Sequence, residues 1–172
     1  WLKTSQIEYD AAGNVNTRQV YEYDEAGNLI KETVYTAGDE ISSIYTYEYG
    51  SEGYVVRYVE EYPGYWKNIT EYSAKDVIKK QINYSNGSII SEFEYDELGN
   101  LISSVSYLSD GQVNRVSVVY DSEHRELYRG EVNPDGTIRK YYDCEYDGKK
   151  VKRTTYENDG TGIRSTEYIL YL

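Results

Sequence analysis

The 172-residue chain has one cysteine, one phenylalanine, two prolines, one histidine and no methionine. A lone thiol, Cys144, excludes an internal disulfide. It is compatible with a bacterial exported protein, many of which avoid cysteine. A lone imidazole, His124, must serve any thiol–imidazole pair or serine triad, and no Gly-x-Ser-x-Gly elbow presents a nucleophile. Carboxylates are everywhere, so pairs spaced for glycoside hydrolysis carry no information; Glu60 and Glu61 beside aromatic rings come closest. No loop has the dense Asp/Asn spacing of a calcium site. The expectation is therefore no enzyme, no catalytic residue, no metal ligand and no cofactor. Sequons at Asn68, Asn83 and Asn86 matter only in a eukaryotic secretory pathway.

Long apolar runs are missing, so no segment approaches the length of a membrane-spanning helix and no membrane insertion is expected. Basic residues are outnumbered 18 to 30 by acidic ones, a formal charge of −12. A surface of that sign repels phosphate backbones, which excludes nucleic acid as an expected partner. Leu, Ile, Val and Phe make up about a fifth of the chain, near the range of disordered sequences. The 23 tyrosines tip the balance back toward a folded chain. Tyrosine buries a large ring, favours strands and keeps a hydroxyl to satisfy.

The organising unit is Phe93-Glu94-Tyr95-Asp96-Glu97-Leu98-Gly99-Asn100-Leu101-Ile102, nearly repeated from Tyr21 to Ile30. Asp24 and Asp96 sit where a type I turn wants a carboxylate that accepts a bond from the backbone two residues on. Gly27 and Gly99 follow where the chain enters positive φ, and the two features together make the common longer hairpin loop with a bulge. Turn glycines recur at positions 13, 27, 38, 53, 64, 87, 99, 111, 136, 148 and 160. Their gaps cluster near a dozen residues, and two double gaps hold non-glycine turns at 73–76 and 121–124. Asn133-Pro134-Asp135-Gly136 fits type I at every position, with proline pre-setting φ.

No helix is expected; the best candidate, Ala74 to Lys80, is short and has no 3.6-residue apolar stripe. The reading is all-β: one domain over residues 1–172, an antiparallel meander of roughly a dozen short strands built from repeated hairpins. Val116, Val118 and Tyr120 share a face, as do Tyr142, Cys144 and Tyr146, and Ile169 and Tyr171, while their alternates are mostly polar. One face should be tyrosine-rich and apolar, the other solvated. The twist of so many strands should coil the sheet into a spiral or barrel-like shell. The termini should lie at sheet edges, with Trp1 or Leu172 marking a cut through a longer repeat array. The absence of methionine at the start suits a fragment or processed product whose export signal is gone.

One segment stands out for binding. Tyr54, Tyr58 and Tyr62 have the spacing of one strand face, and Tyr65 and Trp66 follow the Pro63-Gly64 turn. Rings in a row can stack on sugars or on a partner's aromatic and proline residues. The competing reading puts the same rings inside the shell.

Tyr23-Asp24-Glu25-Ala26-Gly27-Asn28-Leu29, its counterpart from Tyr95 to Leu101, and Tyr9-Asp10-Ala11-Ala12-Gly13-Asn14-Val15 resemble the YD repeat of the Rhs and wall-associated bacterial proteins. Weaker versions begin at Tyr49, Tyr120 and Tyr146. The resemblance implies strips of antiparallel hairpins that spiral into a shell, in proteins exported to the bacterial cell surface or beyond it. It implies a structural or adhesive module, with further repeats of a parent chain as partners, and not an enzyme. The alternative is a carbohydrate-binding module for cell wall or other glycans, acting through Tyr54, Tyr58, Tyr62, Tyr65 and Trp66. A protein partner on the same rings is the other possibility.

Overall fold

The structure, a computed structural model, describes residues 1–160 and 162–171; the expectation about Leu172 falls outside them. Among the described residues there are fourteen strands and no helix. They are β1 (Ser5–Tyr9), β2 (Val15–Tyr23), β3 (Leu29–Thr36), β4 (Ile41–Tyr49), β5 (Val55–Tyr62), β6 (Trp66–Ala74) and β7 (Val77–Ser85). After them come β8 (Ser88–Tyr95), β9 (Leu101–Tyr107), β10 (Val113–Tyr120), β11 (Glu126–Val132), β12 (Ile138–Asp147), β13 (Lys150–Tyr156) and β14 (Ile163–Leu170). Strands adjacent in the sheet are adjacent in sequence, the order of a meander. β1 and β14 stand at its two ends, so no barrel closes among the described strands. The span from Ala74 to Lys80 is the end of β6, a tight turn and the start of β7. Contacts group the chain into two units, residues 1–92 with 97–99 and residues 93–96 with those from 100 onward.

The hairpins turn where the glycines are. Ten of the eleven turn glycines have positive φ; at the β3–β4 turn Asp39, not Gly38, takes that conformation at 64°. Asp76 and His124, at 61° and 60°, take it in the two non-glycine turns. In the turn of the organising repeat, the Asp24 amide donates to the Asn28 carbonyl at 2.9 Å and the Gly27 amide to the Asp24 carbonyl at 3.1 Å. The carboxylate then closes the loop: Oδ1 accepts from the Asn28 amide at 2.8 Å and Oδ2 from the Asn28 side chain at 2.9 Å. Asp96 and Asn100 repeat both bonds, at 2.8 and 2.9 Å. The bond two residues on, expected from the turn type, is present at Asp10, whose Oδ1 accepts from Ala12 at 2.9 Å. The shared feature of all three copies is the bond to the residue four on, a buckle that explains the asparagine after each glycine.

The tyrosine before the turn has its own task. The Tyr49 hydroxyl donates to the Leu29 carbonyl at 3.0 Å, Tyr120 to Leu101 at 3.0 Å and Tyr146 to Glu126 at 2.9 Å. Each clips the end of an even-numbered strand to the opening residue of the strand before it. Tyr23 does the same to Lys3 at 2.7 Å, just ahead of β1. A ring that lies along the sheet thus satisfies its hydroxyl on a carbonyl near the loop.

In the first unit one face carries Val20, Thr33, Ile44, Thr46, Val59, Ile69 and Ile82 in cross-strand register. Thr33, Val59 and Ile69 are buried there. Ion pairs flank the line: Lys31–Glu22 at 3.0 Å, Arg57–Glu48 at 2.5 Å, Lys67–Glu61 at 3.5 Å and Lys80–Glu92 at 3.0 Å. The other face is the tyrosine face. The expected contrast of an apolar face with a solvated one gives way to two half-buried faces of different chemistry. Long Lys, Arg, Glu and Tyr side chains on adjacent strands cover one another with their stems and rings, so even small polar residues such as Ser43 and Thr70 are buried.

In the second unit Val118 and Val151 are buried on the face of Tyr142, Cys144 and Tyr146. The Arg153 guanidinium lies 3.9 Å from the Tyr142 ring centre. A register shift at Arg129/Gly130 presses β11 against β12. A Cβ at Gly130 would lie 2.6 Å from the Arg139 carbonyl oxygen, which leaves room for glycine alone.

Candidate functional site: the tyrosine face of β4 to β7

Period-two alternation puts Tyr45 and Tyr47 of β4, Tyr58 and Tyr62 of β5, and Trp66, Asn68 and Thr70 of β6 on one face of the first unit. Register pairs Tyr47 with Tyr58 and Tyr62 with Trp66. The Tyr58 ring lies 5.3 Å from Tyr47, tilted by 40°, and 6.5 Å from Tyr45, nearly parallel at 12°. Tyr62 and Trp66 meet at 5.8 Å and 53°. Beside the rings runs an amide ladder: Asn68 donates to Asn83 at 2.8 Å, Asn83 to the Ser91 hydroxyl at 3.0 Å, and Thr70 to Asn68 at 2.9 Å.

This packing raises the phenols. Burial lifts the Tyr58 and Tyr47 hydroxyls above their ordinary value of 10.0, with Glu60 adding to the first and Glu32 to the second. Tyr62 is pushed up to about 12, first by its hydrogen bond with Tyr45 and then by Glu60. All these phenols are neutral at pH 7, each able to donate and to accept.

The five residues expected to form one strip fall into two groups at opposite ends of β5. Tyr54 is not on the strand: the register shift between Glu48 and Tyr49 leaves it in the β4–β5 loop. There it shares a concavity of about 660 Å³ with Tyr58, and its hydroxyl is 3.5 Å from the Ser73 carbonyl. Tyr62, Tyr65 and Trp66 line a second concavity, of about 540 Å³, with Lys67 and Tyr84. Tyr65, in the turn, is 76% exposed and Tyr62 38%. The first group also holds residues that the strand spacing did not bring forward: Tyr47, Tyr49 and Tyr72, with Glu52, Lys75 and Asp76 on the bordering turns. A signal for them exists in the sequence. Gly50 and Tyr54 occupy the positions that Asp and Asn hold in the sharp repeats.

His124 is exposed in the β10–β11 turn and Cys144 half-buried on β12; no hydrogen bond joins them among the described residues. His124 fills the glycine position of that turn, and burial raises the Cys144 thiol above its ordinary value. No group of three His, Cys, Asp or Glu side chains suited to a metal ion occurs among the described residues.

No family model and no curated protein matches the sequence. Among solved structures, the chain is similar to one in the crystal structure of TcdB2–TccC3–Cdc42, with 18% identity and a TM-score of 0.47 over 96% of this chain and 10% of that one. It is also similar to a chain of the Photorhabdus luminescens Tc holotoxin pore, with 10% identity and a TM-score of 0.25 over 96% of this chain and 12% of that one. The chain therefore spans about a tenth of the length of these Tc toxin chains. At these identities neither likeness assigns it a family.

Proposed function

We propose that this chain is a non-catalytic hairpin-repeat module of the YD type, serving as a structural or adhesive segment of a bacterial protein at the cell surface or outside the cell. The observation that carries the reading is the recurrent device of buckle and clip. The same Asp-to-Asn buckle closes the β1–β2, β2–β3 and β8–β9 turns, and the same tyrosine clip ties strand pairs in both units. The repeated residues of the sequence are used up in holding hairpins side by side, which is what a scaffold requires of them. Surface biotinylation of intact source cells, with capture and immunodetection of the chain, tests the location. Labelling before lysis, or recovery of the chain from the cell-free medium, is expected; a chain found only after lysis refutes the reading.

A second reading, carbohydrate binding, draws on the exposed rings of Tyr62 and Tyr65 beside Trp66. Tilted aromatic rings on an open turn offer apolar faces to the C–H faces of sugars. A glycan-array screen of the purified chain alongside Trp66→Ala tests it. Binding that the substitution abolishes supports this reading, and no binding to any glycan removes it.

A further inference from the structure

The β4–β5 turn is a repeat copy that has lost its buckle. Its backbone still follows the pattern: the Gly50 amide donates to the Tyr54 carbonyl at 2.9 Å, the Gly53 amide to the Gly50 carbonyl at 3.0 Å, and Gly53 has a φ of 80°. These match the corresponding bonds and φ around Asp24, Gly27 and Asn28. Only the side chains differ. Glycine replaces the aspartate and tyrosine replaces the asparagine, so the turn gives up its carboxylate bonds and gains an aromatic wall. A Cβ at Gly50 would meet Val56 Cγ1 at 2.7 Å, so the side chain of β5 occupies the space an aspartate would need.

A second departure lies next to it. The β6–β7 pairing slips twice, between Glu71 and Tyr72 and again between Tyr72 and Ala74, whereas most pairings in the chain slip at most once. Such bulges re-aim a side chain. Here the extra residues are Lys79 of β7 and Ser73 of β6, and they flank the Tyr72–Ile78 pair; Tyr72 lines the same concavity as Tyr54. Two independent breaks in an otherwise regular pattern thus converge on one cavity. Local rules are broken at functional sites more often than elsewhere.

We propose that this concavity, walled by Tyr54 and Tyr72 and floored by Tyr47 and Tyr58, is a binding site for an uncharged pyranose unit of a glycan. The site rests on the carbohydrate reading and relocates it from the Trp66 end of β5 to the opposite end. Its volume of about 660 Å³ is within the range of small-ligand sites, about 300–1,000 Å³. The lining chemistry selects the ligand. Glu52 and Asp76 accept hydrogen bonds, Lys75 donates them, the Tyr47 and Tyr58 phenols, neutral at pH 7, do both, and Tyr49, whose proton is given to the Leu29 carbonyl, can still accept. A set with both carboxylates and an ammonium favours neither an anion nor a cation. Neighbouring hydroxyls on a ring with an apolar face match donors, acceptors and aromatic surface together.

The test is a titration of the intact chain with cellohexaose, chitohexaose and maltohexaose, read by amide chemical shifts in NMR. Saturating shifts are expected at Gly53, Tyr54 and Asp76 for at least one probe, with Gly64 and Gly87 at the other end of the hairpins unmoved. Tyr54→Ala should weaken that binding at least tenfold. Lys75→Ala and Glu52→Gln, at exposed turn positions that the fold does not need, should each weaken it severalfold with an unchanged melting temperature. Shifts confined to Gly64, Trp66 and Gly87, with full affinity in all three variants, overturn the site and leave the carbohydrate reading standing. No shift with any probe overturns both.

Discussion

Removing one hydroxyl from a clip tests the energetic role of the repeat's tyrosine. Tyr120→Phe deletes the donor to the Leu101 carbonyl, a 3.0 Å bond, and leaves the half-buried ring in place. No cavity forms, so the cost is the hydrogen bond alone, about 0.5–1.5 kcal/mol. Tyr146→Phe removes an equivalent bond of 2.9 Å to Glu126 in the same unit. The two clips lie on different strand pairs, but Tyr120 is the register partner of Glu126, the acceptor of the Tyr146 clip, so their summed cost of about 2 kcal/mol is read on the double variant itself and not from the single ones. With a urea m-value of about 1–3 kcal/mol/M, the double variant should lose on the order of 1 M in its unfolding midpoint. Urea titration followed by far-ultraviolet circular dichroism measures this, with Tyr65→Phe, in an exposed turn, as the control expected to show no change. A double variant as stable as that control would show that the clips are incidental contacts.

Four further outcomes follow from particular contacts and groups. Gly130→Ala forces a methyl against the Arg139 carbonyl and the Ile138 side chain at 2.6 Å each, and overpacking against backbone should cost about 2–3 kcal/mol in the same titration. His124→Gly replaces a bulky residue at a φ of 60° by one that adopts it freely, and should stabilise the β10–β11 hairpin by about 1 kcal/mol in thermal unfolding. The phenols govern the alkaline limit. Tyr142 is raised by burial, and by its bond to Glu126, to about 12, and Tyr95, Tyr120 and Tyr146 are raised by burial above 10.0. An acid with a raised folded-state pKa keeps its proton where the unfolded chain has lost it. Its contribution is therefore complete below pH 10 and disappears as the pH climbs through the folded values. Melting temperatures should be level from pH 7 to 9 and fall steeply above 10. The turn aspartates act in the opposite sense at the acid end. Asp24, lowered first by its bond to the Asn28 side chain, and Asp121, lowered first by the Arg125 amide, stabilise the fold above their ordinary 3.8. That contribution should fade as the pH falls through their depressed values.

The turns show how local physics made the fold legible. Every connection falls on a glycine or on one of the two non-glycine turns that the spacing singled out, because a left-handed residue and a carboxylate acceptor are requirements of a few consecutive residues. Strand direction followed from the same cause, since a short hairpin loop can only reverse the chain. The antiparallel meander, the absence of helix among the described residues and the edge positions of β1 and β14 were accordingly decided by the sequence itself.

Side-chain destinations were not. Tyr54, Tyr58 and Tyr62 have the spacing of one face, yet the bulge beside Tyr49 moves Tyr54 off the strand and into a different concavity from Tyr62. Tyr72 follows Thr70 on the same face by alternation, yet it meets Tyr54 only because the register of β4, β5 and β6 sets them side by side, which nothing in its neighbours along the chain reports. The solvated face failed to appear for the same reason: burial at Thr33 depends on long side chains from adjacent strands. Whatever depends on backbone within one hairpin could be read along the chain. Whatever depends on register between strands was left to the tertiary structure, because a shift of one residue changes which side chains meet.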